Sequence, residues 1–262
     1  MADEATEIGD SGPRRVAFVT AAAGAGIGSA IVRELATGGY DVVLTDAHAR
    51  RCGELAASLS EEYGREFLGI PLDVRDYDAI GEAVERVVKW RGGIDALVNS
   101  AGWNKLEPLI DMERETWQRC IDVDLTGTFN CLRHILPVMV RRGGGAVVNI
   151  SSIAAWETSA EHGAAYSAAK AGVTALTRVA AAEVGRHGIR VNAIAPGLIY
   201  NEHLIKVYPA EFFGGYAERR SFVGRVGQPE DVAALAAFLL SDRAGYITGE
   251  VYGISGGVSA RA

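Results

Sequence analysis

The feature that most constrains the fold is an alternation, along nearly the whole chain, of short β-rich apolar runs with longer stretches of helical periodicity. The apolar runs are continuous rather than alternating with polar residues, which is typical of strands buried on both faces. The predicted strands span residues 15–20, 40–45, 66–70, 94–98, 145–150, 190–194 and 250–254. The predicted helices span residues 29–36, 47–62, 79–90, 113–140, 164–185 and 231–240.

Strands that alternate with helices form a parallel sheet with helices on both faces. Right-handed crossovers make such a sheet doubly wound, and its ligands bind at the carboxyl ends of the strands. The sequence therefore predicts an α/β fold, a single Rossmann-like domain over residues 14–262 with a doubly wound seven-stranded parallel sheet. Residues 1–13 are predicted to be a flexible tail.

Composition excludes several classes of protein. With 48% hydrophobic and 23% charged residues, the 262-residue chain is not intrinsically disordered, and its formal net charge of −7 disfavours nucleic acid or an anionic membrane as partner. Glycines interrupt the uncharged stretch 16–32, which argues against a membrane span. The three cysteines, Cys52, Cys120 and Cys131, are odd in number and widely spaced, so we expect a reducing, cytoplasmic compartment. No metal site is predicted.

A glycine-rich loop follows the first strand and reads Thr20-Ala-Ala-Ala-Gly-Ala-Gly-Ile-Gly28. The next helix opens directly after it. A strand, a glycine turn and a helix N-terminus together form an anion site, because backbone N–H groups and the helix dipole point at the ligand. The loop therefore predicts a dinucleotide pyrophosphate site. The alternative is a turn that is merely tight.

Asp46 ends the second predicted strand, about 20 residues beyond the glycine loop. At this place an acidic side chain accepts hydrogen bonds from the adenosine ribose hydroxyls. A 2′-phosphate would meet a like charge, so Asp46 favours NAD(H), while Arg50 and Arg51 leave NADP(H) open. The alternative role of Asp46 is a helix N-cap, which is compatible with ribose binding.

A possible catalytic group lies around the fifth strand. Tyr166 and Lys170 are spaced i and i+4 and share one helical face. Ser152 follows the fifth strand, fourteen residues before Tyr166. A nearby ammonium and a cationic nicotinamide favour tyrosinate and lower the tyrosine pKa toward the working range, and a serine hydroxyl can orient a substrate oxygen.

With these motifs on one chain, the sequence resembles the classical short-chain dehydrogenase/reductase family from Arg15 to Gly257. Nearest among its members, more loosely, are actinobacterial reductases of steroid and cyclic-ketone catabolism and 3-oxoacyl reductases. Besides the loop, the resemblance is carried by Leu72-Asp-Val74, Asn99-Ser-Ala-Gly102, Asn149-Ile-Ser-Ser152, Tyr166-Ser-Ala-Ala-Lys170, Arg190-Val-Asn192, Pro196-Gly197, Gly227-Gln-Pro-Glu-Asp231 and Thr248-Gly249.

The resemblance implies residue roles. Tyr166 would be the general acid/base, Lys170 would bind the nicotinamide ribose, and Ser152 would position the substrate oxygen. It also implies a homodimer or homotetramer formed through the long helices. The cofactor cleft would be lined by Ala22, Gly26, Ile27, Gly28, Asp46, Asp73, Val74, Asn99, Ser100, Ala101, Gly102, Tyr166, Lys170, Pro196, Gly197 and Ile199.

Three positions depart from the family pattern. Thr20 is followed by alanine instead of glycine, and one extra residue precedes Gly26, so we expect the loop to bulge. Ser152 lies one residue further from Tyr166 than is common. Asp124 replaces the family's catalytic asparagine, and we expect it to hold the water that relays protons from Lys170 while adding negative charge to the relay.

The substrate side is rich in aromatic residues. Trp156 and His162 lie between Ser152 and Tyr166 and are predicted to border the pocket. Residues 198–225, which the resemblance makes a lid, suggest a bulky apolar or ring substrate; the alternative is ordinary helix packing. The lid aromatics and histidine are Tyr200, His203, Tyr208, Phe212, Phe213, Tyr216 and Phe222, with Tyr200 predicted to contact substrate.

The leading interpretation is an NAD(H)-dependent oxidoreductase that interconverts a secondary alcohol and a ketone, with a CoA thioester among the possible substrates. An enzymatic alternative is an NADPH-dependent 3-oxoacyl-thioester reductase, against which Asp46 argues. An alternative of another class is a non-catalytic dinucleotide-binding scaffold. Asp124 and the altered glycine loop are its only support.

Overall fold

A computed structural model describes residues 14–157, 162–201 and 210–260. Seven strands form one all-parallel sheet in the order β3-β2-β1-β4-β5-β6-β7, which confirms the predicted doubly wound fold. The tail at residues 1–13 lies outside the described residues. The strands are β1 Val16–Val19, β2 Asp41–Asp46, β3 Leu68–Pro71, β4 Ala96–Asn99, β5 Gly145–Ile150, β6 Ile189–Pro196 and β7 Val251–Ile254.

Helices follow the strands in the predicted alternation. Those in the described ranges are α1 Ile27–Thr37, α2 Ala49–Tyr63, α3 Tyr77–Arg91, α4 Arg114–Cys120, α5 Gly127–Arg142, α6 Ala164–Val184, α7 Ala210–Arg220 and α8 Pro229–Leu240. Within this part of the chain, none of them is long and apolar enough to cross a bilayer.

The structure differs from the predicted elements in two places. The helix expected over 113–140 is divided into α4 and α5 by a π-helical turn, Ile121–Thr126, whose wider winding periodicity does not reveal. Helix α7 was not predicted, because Gly214 and Gly215 and the adjacent aromatic residues obscure its helical period.

The core has one layer on each face of the sheet. In β1, Ala17 and Val19 face a cluster formed with α1, α2 and α8. Val16 and Phe18 face the opposite cluster, formed with α3, α5 and α6. Every residue of β1 and β4 is therefore buried, which explains why these strands appear in the sequence as continuous apolar runs.

The strand order reverses between β1 and β4, and this switch point is where ligands bind in doubly wound sheets. The segments that leave β1, β4, β5 and β6 meet at this edge. Thr20 shows how closely they approach: its hydroxyl accepts the backbone N–H groups of Ser100 at 2.9 Å and Ala101 at 3.1 Å.

Candidate active site

The glycine loop has the expected bulge. Ala21 adopts the left-handed region with φ 50°, alone among the non-glycine residues of the described ranges. Gly28 is held closely against this turn, since a Cβ there would lie 2.3 Å from the carbonyl oxygen of Ala21. Gly26 caps α1, and its N–H donates to the Ser29 hydroxyl at 3.2 Å. The inserted residue is therefore absorbed at Ala21, before the loop reaches the helix.

The open side of the loop can hold an anion. A Cβ on Gly24 or Gly26 would meet no atom within 4 Å, so the backbone faces free space there. The first turn of α1, which includes Ile27 and Gly28, has no acidic side chain to compete with a phosphate.

Asp46 ends β2 beside the loop. Its Oδ2 accepts the N–H of Ala23 at 3.1 Å, and its Oδ1 accepts the N–H of His48 at 2.9 Å. Each carboxylate oxygen can accept more than one hydrogen bond, so capacity remains for ribose hydroxyls. The Ala23 contact also ties the bulged loop to β2.

The carboxylate of Asp73 forms an ion pair with the guanidinium of Arg75. The Arg75 guanidinium donates to both carboxylate oxygens, with Nη2 at 2.6 Å from Oδ2 and Nε at 3.0 Å from Oδ1. This hydrogen bond lowers the pKa of Asp73, and burial opposes it. Val74 packs against Gly127, where a Cβ would lie 2.5 Å from Val74 Cγ2. Arg75 is a site contact that sequence reasoning missed.

A chain of amides supports the β4–β5 side of the cleft. Asn99 donates through Nδ2 to Asn149 Oδ1 at 2.8 Å, and Asn149 donates to the Thr177 hydroxyl at 2.9 Å. The Asn99 Oδ1 atom is buried and has no hydrogen-bond partner within the described part of the chain. It is an acceptor inside the predicted cofactor cleft.

The structure brings Ser152, Tyr166 and Lys170 together. Ser152 lies directly after β5, near enough to the Tyr166 phenol for its hydroxyl to lower the pKa of that phenol, and its Oγ accepts the N–H of Ala154 at 3.1 Å. Lys170 is one helical turn after Tyr166, with its ammonium 5.5 Å from the centre of the tyrosine ring. The ammonium also donates to the carbonyl oxygen of Ile150 at 3.0 Å. The longer spacing between Ser152 and Tyr166 therefore does not separate the three groups.

Asp124 completes this group from the π-helical turn. Its Oδ1 lies 3.0 Å from Lys170 Nζ, and its side chain is fully buried while that of Lys170 is 4% exposed. Its Oδ2 accepts the N–H of Trp103 at 2.8 Å. Gly102 allows this approach, since a Cβ there would lie 3.1 Å from Asp124 Oδ1. The π-turn and Gly102 together place a carboxylate directly beside the lysine.

The charges of this group act on both titrating side chains. Burial is the largest effect on the Tyr166 phenol and raises its pKa. The Lys170 ammonium and the Ser152 hydroxyl each lower this pKa, by less than burial raises it, and Asp124 raises it further. Burial lowers the pKa of Lys170, but Asp124 and Tyr166 outweigh burial and leave it above its ordinary value. The lysine acts on the tyrosine in the expected direction, but burial and Asp124 outweigh it, so the pKa of Tyr166 lies above its ordinary value in this structure and not below it as the sequence predicts.

The β6 end closes the cleft. Pro196 is the last residue of this strand, and Gly197 follows it so closely against Ser255 that a Cβ there would lie 2.9 Å from Ser255 Cβ. Ile199 is buried and pairs with Gly227 in an isolated bridge. Contacts with Ser255 and Gly227 thus fix the backbone that is predicted to flank the nicotinamide.

On the predicted substrate side, Trp156 donates through Nε1 to the Ser259 hydroxyl at 2.9 Å. His162 lies 3.2 Å from the carboxylate of Glu157. The Tyr200 ring packs 6.2 Å from that of Phe213, which meets Phe212 edge to face. Among the predicted lid residues, His203 and Tyr208 lie outside the described residues.

Trp103 is a further residue that sequence reasoning missed. It follows Gly102, donates to Asp124, and its ring lies under the Arg119 guanidinium at 4.5 Å. The ring packs in a small cluster with Tyr166 and Cys120. Burial raises the pKa of the Cys120 thiol to about 12, which makes it a packing residue. Only the position of Trp103 directly after the Asn-Ser-Ala-Gly motif could have indicated its role.

The side chains present fit a nicotinamide dinucleotide. The glycine cradle is open toward a helix N-terminus, Asp46 has acceptor capacity at the end of β2, and the buried Asn99 oxygen lacks a partner among the residues described. Residues 21–259 match a family model described as enoyl-(acyl carrier protein) reductase.

Two relatives align over almost the whole chain. One, 40% identical over 92% of both chains, is the (5R,7aS)-5-hydroxy-7a-methyl-1-oxo-2,3,5,6,7,7a-hexahydro-1H-indene-carboxyl-CoA reductase of Mycobacterium tuberculosis. The other, 39% identical over 97% of this chain and 100% of the relative, is the cis-4-hydroxycyclohexanecarboxylate dehydrogenase of Sinomonas cyclohexanicum.

Solved structures agree with these matches. A short-chain type dehydrogenase/reductase from Mycobacterium ulcerans superposes with a TM-score of 0.89 at 33% identity, covering 94% of this chain and 90% of that one. A 3-oxoacyl-[acyl-carrier protein] reductase with bound NAD from Brucella melitensis has a TM-score of 0.86 at 32% identity, covering 94% and 92%. The chain belongs to the short-chain dehydrogenase/reductase family and is an oxidoreductase of alcohol and ketone groups.

Proposed function

We propose that this protein is an NAD(H)-dependent oxidoreductase that interconverts a secondary alcohol and a ketone on a bulky ring substrate. The observation that carries the proposal is the convergence of Ser152, Tyr166 and Lys170 beside a cleft that fits a dinucleotide. A bound nicotinamide supplies the hydride acceptor or donor. The side chains of this protein then have to transfer one proton and orient the substrate oxygen.

Tyr166 is the proton-transfer group in this proposal. In the direction of reduction its phenol donates a proton to the substrate oxygen, and in oxidation its phenolate accepts that proton. Ser152, whose hydroxyl lies near the phenol, orients the same oxygen. Lys170 stabilises the phenolate as an ammonium, and the raised pKa of Lys170 keeps it charged.

Asp124 holds Lys170 from the opposite side. The ion pair at 3.0 Å fixes the ammonium between Asp124 and the Ile150 carbonyl. We propose that Asp124 keeps the relay function of the family asparagine, at the cost of a higher tyrosine pKa.

The cofactor preference rests on Asp46. Its carboxylate is directed to the glycine loop by the Ala23 N–H, so a 2′-phosphate near it would meet a negative charge. Arg50, which could offset that charge, lies 3.7 Å from Glu54. The NAD-bound structure from Brucella melitensis supports a nicotinamide dinucleotide in this family.

The substrate class rests on two kinds of observation. Both relatives named above act on ring compounds that carry a carboxyl group or its CoA thioester. In this chain, aromatic rings of Tyr200, Phe212 and Phe213 pack together after β6, and such surfaces suit apolar rings. We therefore propose a hydroxylated or oxidised alicyclic acid, free or as the CoA thioester.

The experiment that tests this function starts with calorimetric titration of NADH and NADPH. We expect NADH to bind at least about tenfold tighter, and an Asp46→Asn variant to reduce that preference. Turnover is then measured with 4-hydroxycyclohexanecarboxylate, its CoA thioester and a 3-oxoacyl thioester. Tyr166→Phe should bind NADH normally and lose about 10²-fold or more in kcat.

A second candidate is an NADPH-dependent 3-oxoacyl-thioester reductase, for which the likeness to the Brucella melitensis enzyme supports the substrate class and not the NADPH preference. Preference for NADPH together with turnover of only the 3-oxoacyl thioester would establish it instead. Binding of neither dinucleotide would support the scaffold interpretation. We also propose a cytoplasmic location, because all three cysteines are free and buried.

A further inference from the structure

The carboxylate of Glu157 connects two segments that border the candidate active site. Glu157 lies five residues after Ser152, and its N–H donates to the Ile153 carbonyl at 2.8 Å, within the turn that follows Ser152. Its Oε1 accepts from the Arg220 guanidinium, at the end of α7. Its Oε2 lies 3.2 Å from His162 Nε2, two residues before α6 begins.

This cluster is shielded from solvent. The side chains of Glu157, His162 and Arg220 are 15%, 20% and 32% exposed. A charge pair at this depth is screened less than a surface pair, and removal of one partner leaves the other charge partly desolvated. The contact between α7 and the Ser152 turn therefore depends on both charges.

The end of α7 is also anchored from a second direction. The N–H of Phe222 donates to the Gly256 carbonyl at 2.8 Å, and Trp156, next to Glu157, donates to Ser259 of the same C-terminal segment. Gly257 is so close to Phe222 that a Cβ there would lie 2.4 Å from the Phe222 ring. Trp156 and Glu157 thus connect α7, the C-terminal segment and the Ser152 turn.

We propose that Glu157 is a positioning residue that, through Arg220, fixes the end of helix α7 against the Ser152 turn and so forms the substrate side of the site. The proposal rests on the proposed function for its kinetic consequence. Glu157 touches no reacting group, so loss of its charge weakens substrate binding and leaves proton transfer by Tyr166 nearly intact. The physical change that we expect when the charge is lost is separation of the end of α7 from the Ser152 turn.

The test compares Glu157→Gln, Arg220→Gln and the double variant with the parent. We expect KM for the turned-over substrate to rise about tenfold in each single variant, with kcat within about threefold of the parent. Because Glu157 and Arg220 meet in one ion pair, the losses of the two single variants should be less than additive in the double variant. Arg219→Gln is the matched control: Arg219 is exposed on the same helix, and no carboxylate partner is seen for it among the described residues.

Hydrogen–deuterium exchange of peptides covering 210–220 gives a readout that needs no substrate. Both single variants should exchange faster there than the parent and Arg219→Gln, with unchanged unfolding midpoints. Unchanged exchange and unchanged KM in Glu157→Gln, or additive losses in the double variant, would overturn the proposal. If the parent turns over none of the tested substrates, the proposed function fails, while the exchange data still decide the role of Glu157.

Discussion

The most unusual single residue of the candidate site is Asp124, a buried carboxylate beside the lysine that we propose stabilises the Tyr166 phenolate. Asp124 is fully buried, and its contacts are the Lys170 ammonium and the Trp103 N–H. Removing one charge of a buried ion pair leaves the other charge buried without a partner, which is unfavourable. The aspartate therefore contributes to the position of Lys170 and, through its charge, to the titration of Tyr166.

Replacement of Asp124 by asparagine should move the pH dependence of catalysis. Asp124 raises the pKa of Tyr166, so Asp124→Asn lowers it. Alcohol oxidation needs the phenolate and its rate rises with pH through that pKa. We expect the rising limb of kcat/KM to shift to lower pH. Superimposed profiles of parent and variant would contradict this role, and urea unfolding controls for stability.

The glycine loop allows a stability test with a matched pair. In Gly28→Ala the new Cβ meets the backbone of Ala21 at 2.3 Å, and backbone cannot move aside as a side chain can. We expect a loss of about 1–3 kcal/mol in the free energy of unfolding without cofactor. Gly24→Ala meets nothing within 4 Å and should change stability by about 0.5 kcal/mol or less. Equal urea midpoints for the two variants would refute this explanation.

At the scale of elements, α8 shows how a local motif is read from sequence. Gly227-Gln-Pro-Glu-Asp231 places proline at the start of the helix, and Asp231 accepts the Gln228 N–H at 2.7 Å. Arg225 forms a bidentate ion pair with the same carboxylate, with Nη1 2.5 Å from Oδ2 and Nη2 2.7 Å from Oδ1. The helix start is determined by neighbours in the sequence, so it was predictable within two residues.

The Asp231 cap makes stability depend on pH. Arg225 holds the pKa of Asp231 below its usual range, so the contribution is present above the unfolded pKa and is lost as pH falls through the folded pKa. We expect Asp231→Ala to cost about 0.5–1 kcal/mol at pH 7, discounted for exposure, and less below about pH 4. Glu230→Ala, in the same helical turn, is the control. A pH-independent difference in urea unfolding would argue against the linkage.

The elements that sequence reasoning missed depend on distant contacts. No local pattern in residues 121–126 indicates a π-turn. The extra residue of this turn is accommodated by the packing of Asp124 against Lys170 and Gly102, which are distant in the sequence. Likewise Thr20 acts on Ser100 and Ala101, about eighty positions away. Such contacts have no periodicity to detect.

At the scale of the whole molecule, apolar side chains remain exposed on the long helices. Phe129 on α5 is 47% exposed and Val179 on α6 is 55% exposed. Apolar side chains left exposed on a folded chain can mark a contact between chains, and the resemblance to the family implies association through the long helices.

We therefore predict that the parent protein is a homodimer or homotetramer. The double variant Phe129→Asp, Val179→Asp should sediment with a smaller mass, because burying two carboxylates in an apolar contact is unfavourable. Sedimentation equilibrium measures the mass, and near-UV circular dichroism checks that the fold is retained. An unchanged mass in the double variant would place the contact on another face.

The sequence by itself determined the sheet class, and it predicted the cofactor edge and Ser152, Tyr166, Lys170 and Asp46 as site residues, since strand runs, glycine turns and i, i+4 spacing are local patterns. Only the tertiary structure decided that Asp124 pairs with Lys170, that Arg75 holds Asp73, and that Glu157 joins α7 to the Ser152 turn. These contacts join charges across separate elements. Their energies depend on distance and burial, which exist only once the chain has folded.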